Sequence, residues 1–216
     1  MSLQNLYKER SFIIEALDNY KKFILEKEFF EISRNLTENS LTLEKILNFI
    51  KETKNCFNRE SLAGHITSSA LITNQNFSKV LLTYHAKLKK WLQLGGHCDG
   101  EYLIHLSAIR EAKEESGLND INFVDIFNFP HCTQIEKFPT PFDIDIHAIP
   151  ARKDEPEHFH YDIRYLLVAD ESENIVVSEE SLDLKWINLS DINKYSEEIS
   201  TLRQVEKLKY LVSKLR

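Results

Sequence analysis

Residues 95–118 read Gly95-Gly96-His97-Cys98-Asp99-Gly100-Glu101-Tyr102, then seven residues, then Arg110-Glu111-Ala112-Lys113-Glu114-Glu115-Ser116-Gly117-Leu118. A short strand, Trp91 to Leu94, runs into the double glycine. A helix is expected over about Leu103 to Ser116, with Gly117 placed to cap its end. At about 100° per residue, Glu111, Glu114 and Glu115 fall within an arc of roughly a quarter turn, and Leu106, Ile109 and Ala112 lie opposite. One stripe should anchor the helix while three carboxylates converge on the other. Clustered carboxylates repel one another unless a cation holds them, and hard oxygen donors suit Mg2+ or Mn2+. Such ions bind phosphate oxygens and acidify a bound water, and glycines let backbone come close to both. The pattern points to chemistry at a diphosphate.

Taken together, Gly96, Arg110, Glu111, Glu114, Glu115 and Gly117 stand at the spacing G-x5-E-x7-R-E-U-x-E-E-x-G-U, and the segment resembles the box of the Nudix hydrolases. The resemblance covers about residues 62–195. It implies an α/β fold, an α/β/α sandwich around a mixed sheet, with the box as loop-helix-loop. It also implies metal binding by Glu111, Glu114 and Glu115, with the Gly96 carbonyl as a further ligand, and bracing of the box by Arg110. The usual reaction of the family is attack of a metal-activated water on a phosphorus of a nucleoside diphosphate linked to another group. One position departs: the first glutamate of the pattern is Tyr102, with Glu101 one residue early. In the family that glutamate supports the box. Its replacement leaves two readings, a divergent active hydrolase and a Nudix-fold sensor that binds a nucleotide or metabolite without turning it over.

Outward from the box the chain divides by its breakers. Residues 1–60 hold neither glycine nor proline, and all five prolines fall between Pro130 and Pro156. Leu3, Leu6, Ile13, Leu17, Tyr20 and Ile24 make one stripe on a long helix. Asn35 to Ser40 reads as a break, and Leu43, Ile46, Leu47 and Ile50 as a second helix. Residues 1–60 are thus expected as a helical hairpin, for packing or for homodimerisation, and 61–216 as the Nudix domain. Strands are expected at Ile66 to Thr73, Val80 to His85, Phe123 to Phe129, Phe142 to Ile149, His160 to Ala169 and Leu184 to Ile187. A closing helix over Thr201 to Leu215 carries Val205, Leu208, Val212 and Leu215 on its buried side.

Two strands alternate polar and apolar residues: Asp143, Asp145 and His147 on one, and His158, His160, Asp162 and Arg164 on the other. One register pairs His147 with His160 and Asp143 with Arg164. That face is either a solvated surface with cross-strand ion pairs or a lining of the catalytic cleft. Glu155 and Glu157, in the loop between these strands, are candidates for a carboxylate from outside the box, Glu157 as a general base. His65 opens the first strand and His97 follows the double glycine. With His160 and Glu157 they resemble the metal site of isopentenyl-diphosphate isomerase, a Nudix-fold enzyme, and imidazoles would favour manganese or zinc. Against that activity, the family's cysteine before the histidine is absent, and Cys98 falls after it. Lys87, Lys89 and Lys90 form a basic turn that, like Arg152 and Lys153, would attract an anionic substrate.

Bulk properties bound the rest. The chain has 216 residues, 42% hydrophobic and 28% charged, with a formal net charge of -7. That acidity argues against a nucleic-acid surface. Three cysteines at no zinc-ligand spacing fit reduced thiols. Without a signal-like start or a run of roughly 20 apolar residues, a cytoplasmic protein off the membrane is expected.

Overall fold

The structure, a computed structural model, describes residues 3–25, 36–61, 63–133, 138–151 and 156–215. Two helices come first, α1 (Leu3–Leu25) and α2 (Leu36–Glu52). Strands β1 (Gly64–Asn74), β2 (Lys79–His85), β3 (Trp91–Leu92) and β4 (Leu94–His97) lead to helix α3 (Ile104–Ser116). Then come β5 (Ile121–Phe123), β6 (Asp143–Ile149), β7 (His158–Ala169), β8 (Ser181–Asn188), a 3-10 turn at Ile192–Lys194, and α4 (Ile199–Ser213).

Of the stripe on α1, Ile13, Leu17, Tyr20 and Ile24 are buried as their spacing predicts, joined by Ala16 and Phe23, while the side chains of Leu3 and Leu6 lie outside those described. On α2, Leu43, Ile46 and Ile50 are buried as expected, Leu47 is half-buried, and Phe49 joins the buried side. The break expected at Asn35 to Ser40 is overturned from residue 36 on, because Leu36 to Ser40 already form the first turns of α2, while Asn35 lies outside the described residues. Arg10 on α1 donates to the carbonyls of Lys51 (2.8 Å), Thr53 (2.8 Å) and Lys54 (3.3 Å). Its guanidinium thus satisfies carbonyls that the end of α2 leaves without helical partners. The buried face of α2 packs on the sheet, Phe49 stacking on Tyr161 of β7 at 3.9 Å and 3° from parallel.

The sheet is mixed, and β1, buried along its whole length, lies inside it. It pairs in parallel with β7, from Gly64 opposite Phe159 to Asn74 opposite Ala169, and antiparallel with β2 and β4. On one flank β2 carries β3 and β8; on the other β7 carries β5 and β6. The strand expected over Phe123 to Phe129 stops at Phe123, with one bridge from Val124 to Cys132. The Asp125 carboxylate accepts the N–H groups of Phe127 and Asn128 there and turns the chain. The buried side of α4 is also corrected. Val205 and Leu208 are buried as expected, with Thr201, Gln204, Lys207 and Leu211. Val212 is half-buried and Leu215, beyond the helix, is exposed.

β6 and β7 pair in the predicted register, Asp143 opposite Arg164 and His147 opposite His160. At the Asp143 end the polar face is neither solvated nor a cleft lining, because α4 covers it. The fully buried Asp143 accepts from Lys207 (2.5 Å), Arg203 (2.6 Å) and Arg164 (3.3 Å). Asp162 accepts from Arg164, Thr67 and Ser69. Lys207 also reaches the Tyr20 hydroxyl, so the network joins α4, both strands and α1. Burial alone would raise the Asp143 carboxyl, but Lys207 and Arg203 bring it down to about 2. Among the described residues no helix is long and apolar enough to cross a membrane. Cys56, Cys98 and Cys132 are free thiols.

Candidate active site

Helix α3 lies across β1 and β4 on the sheet face where Gly96 points. Its anchoring side is Ile104, Ala108 and Ala112, with Leu106 and Ile109 half-buried, a rotation from the predicted stripe that carries Glu115 into the interior. Gly117 ends it in the left-handed region at φ 72°, its N–H on the Lys113 carbonyl at 2.8 Å. A Cβ at Gly96 would stand 2.6 Å from the Glu111 carboxyl carbon, so any larger residue would push that carboxylate away from the loop. The Gly95 N–H donates to Glu115 at 3.1 Å.

The three glutamates do not face one way. Glu111 and Glu115 turn in to the glycines, whereas Glu114 is outward, its side chain 59% exposed against 16% for Glu111. Arg110 links them: it pairs with Glu111 (2.8 Å) and Glu114 (2.9 Å) and donates to the His97 carbonyl (2.9 Å). Burial raises Glu115 to about 8 against the opposing Gly95 N–H, and Glu111, Glu180 and Glu114 add to it. Glu111 is raised by burial too, tempered by Arg110. Both inward carboxylates are pushed toward the neutral acid, and a nearby cation would relieve them. An all-oxygen donor set suits Mg2+ or Mn2+.

Sequence reasoning missed Glu180. It stands just before β8, and the Ala86 N–H donates to its carbonyl. Its charge acts on both Glu111 and Glu115. No spacing rule joins it to the box; the pairing of β2 with β8 brings it there. Tyr102 and Glu101 have separate tasks. Glu101 accepts the Leu103 N–H at 2.8 Å at the start of α3, and Tyr102 lies against Phe12 of α1.

The model of the NUDIX domain family matches residues 64–208, about two thirds of the sequence. The chain belongs to the Nudix family. By that membership it is a pyrophosphohydrolase. A solved binary complex of the C. elegans Ap4A hydrolase is similar with a TM-score of 0.51 at 15% identity, over 69% of this chain and 98% of that one, which shows the shared fold. A NUDIX-family hydrolase from Clostridium perfringens is 25% identical with a TM-score of 0.48, over 68% and 97%. The E. coli dihydroneopterin triphosphate pyrophosphohydrolase is 15% identical with a TM-score of 0.48, over 66% and 92%. No curated protein matches the chain in sequence.

In this Nudix domain His65, His97 and His160 come together from β1, β4 and β7. Ring centroids are 4.9 Å apart for His65 and His97, 4.7 Å for His65 and His160, and 5.2 Å for His97 and His160. His147 and His158 flank them at 5.4 and 5.2 Å from His160. Burial, then the neighbouring imidazoles, hold His65 down at about 4 and His160 at about 2, so both are neutral. Cys98, the residue that bore on the isomerase resemblance, is buried, and burial drives its thiol far up. Glu157 is exposed at the entrance to β7. Lys87 is exposed in the turn after β2, next to Ala86, and Lys90 pairs with Glu198 at 2.6 Å. Arg152, Lys153 and Glu155 lie outside the described residues.

Proposed function

We propose that this Nudix protein hydrolyses the diphosphate bond of a nucleoside diphosphate derivative in a reaction that depends on Mg2+ or Mn2+. The observation that carries the reading is the inward pair Glu111 and Glu115, two carboxylates raised by burial beside the glycine loop. With the Gly96 carbonyl they would hold the ion, and Glu114, turned outward on Arg110 in this structure, would join them by swinging in. A bound divalent ion supplies charge neutralisation for the diphosphate oxygens and acidifies a water.

The chain's own groups do the positioning. Arg110 fixes Glu111, Glu114 and the His97 carbonyl, so the glycine loop and α3 move as one piece. Glu180, whose charge acts on the box, is our candidate to accept the proton of the attacking water; Glu157, exposed at the entrance to β7, is the other carboxylate from outside the box. Lys87 supplies positive charge next to the strand end that holds Glu180.

The test is release of phosphate or nucleotide from a panel of ADP-ribose, dinucleoside polyphosphates, nucleotide sugars and oxidised nucleotides, with Mg2+ and then Mn2+. Metal-dependent turnover that is lost in Glu111→Gln/Glu115→Gln supports the proposal. A panel member that raises the melting temperature without being turned over, with either ion, replaces it with a sensor.

A further inference from the structure

We propose that His65, His97 and His160 form a second metal centre, for a transition ion of the zinc type, on the sheet face opposite the box helix. The inference does not depend on the reaction proposed for the box. β4, β1 and β7 are adjacent strands, with His65 directly opposite His160 and His97 opposite Thr67, two residues along β1. Strand alternation puts all three rings on one face and Gly96 on the other. One ring nitrogen from each histidine lies within 4.8 Å of the others. Nitrogens on a tetrahedral ion at about 2.0–2.1 Å stand roughly 3.4 Å apart, so each ring needs to close by less than about 1 Å.

Hydrogen bonding supplies an independent observation. His65 is 2% exposed, and among the described residues neither of its ring nitrogens has a hydrogen-bond partner; Nε2 of His160 has none either. A neutral imidazole carries one donor and one acceptor, and leaving both unmet in the interior is costly enough that such groups are rare. An ion at the centre of the three rings takes up an acceptor on each. The surroundings suit this: the His147 Nδ1 is 3.2 Å from Asp145, and the His158 Nδ1 is 2.9 Å from the Pro156 carbonyl, fixing the flanking rings. Three imidazoles select zinc-type ions over magnesium, the reverse of the box carboxylates. Three protein ligands leave a fourth position for water or an incoming group. The strand β4 therefore presents a hard-ion site through Gly96 and a softer one through His97.

The full chain, with its affinity tag removed, is stripped with a chelator, loaded with Co2+ and dialysed. Metal content and visible absorption are then measured. The expected result is about one Co2+ per chain with the strong bands of a four- or five-coordinate nitrogen-bound ion. Zn2+ displaces it and about a hundred-fold excess of Mg2+ does not. His65→Gln and His160→Gln, verified as folded by circular dichroism, weaken binding at least about ten-fold; Glu111→Gln/Glu115→Gln keeps the band. A wild-type chain that retains neither Co2+ nor Zn2+ overturns the proposal. So does a band that survives both histidine variants or disappears with the glutamates. If the histidine variants fail to fold, the wild-type competition and the glutamate variant decide.

Discussion

The ring of Tyr102 lies 6.3 Å from that of Phe12, 19° from parallel, so the box position where the Nudix pattern carries a glutamate receives the N-terminal helix. Phe12 also stacks on Phe138 at 4.3 Å. The departure in the box and the helical extension are two halves of one contact. Phe12→Ala and Tyr102→Ala should each lower stability by about 1–2 kcal/mol, the worth of an aromatic pair plus part of its buried area. Tyr102→Glu should lower it as well, since it sets a charge against Phe12. Urea unfolding midpoints check this, and wild-type midpoints in all three variants would deny the stack any structural weight.

Glu115→Gln separates metal binding from folding. The buried carboxyl is already pushed toward its neutral form, so the amide should leave the melting temperature of the metal-free chain unchanged or raised. The increase that Mg2+ or Mn2+ gives the wild type by binding the folded state should vanish. A metal-induced rise of wild-type size in the variant would remove Glu115 from the ligand set.

Stability of the metal-free chain should peak near pH 6.5. His65, His105 and His160 are held below the ordinary histidine value by burial. Below about 6.5 the unfolded chain takes up protons that the folded chain refuses, so stability falls toward pH 4. Glu115, at about 8, works the other way. Between about 6.5 and 8 the folded chain keeps a proton that the unfolded chain has lost, so stability falls by about 1–2 kcal/mol as pH rises. Saturating Mg2+ should flatten this upper limb, because the ionised carboxylate then has its cation. Urea titrations at pH 5, 6.5 and 8, with chelator and with Mg2+, read both limbs; an unchanged upper limb with Mg2+ counts against the ion at Glu115.

Asp143→Ala should be the most damaging single change to the interior, about 3–5 kcal/mol, because it leaves Lys207, Arg203 and Arg164 without their shared anion. Lys207→Met should cost less than half as much, since two arginines still neutralise Asp143 and the methionine fills the volume. Equal losses in the two denaturation curves would mean that volume matters there and charge does not.

The box, both helices and the β6–β7 register were legible in the sequence, because each rests on a local period or a fixed spacing. Three features were not. Glu115 turned inward because Ala108 and Ala112, small residues that let the helix sit close to β4, outweigh the larger Leu106 and Ile109 in choosing the buried side. Glu180 came to the box through the pairing of β2 with β8, which no spacing in the chain announces. The polar face of β6 and β7 was visible as alternation, but the cations that cover Asp143 come from α4 and are separated from it by about sixty residues. Alternation reveals which side a residue is on; it does not reveal what will be laid over it.

The parallel pairing of β1 with β7 also governs the order in which this protein can be completed. Thr67 and its partner Asp162 are 95 residues apart. At about 5–20 residues per second of synthesis, roughly 5–20 seconds pass on the ribosome between making one and the other. β2 and β4 can pair with β1 early, since they follow it closely, but its other edge waits. A strand that ends up buried throughout its length spends that time with an open row of backbone donors and acceptors, the condition under which chains join the wrong partner. For this fold the hazard falls during synthesis, and β7 is the segment whose arrival ends it.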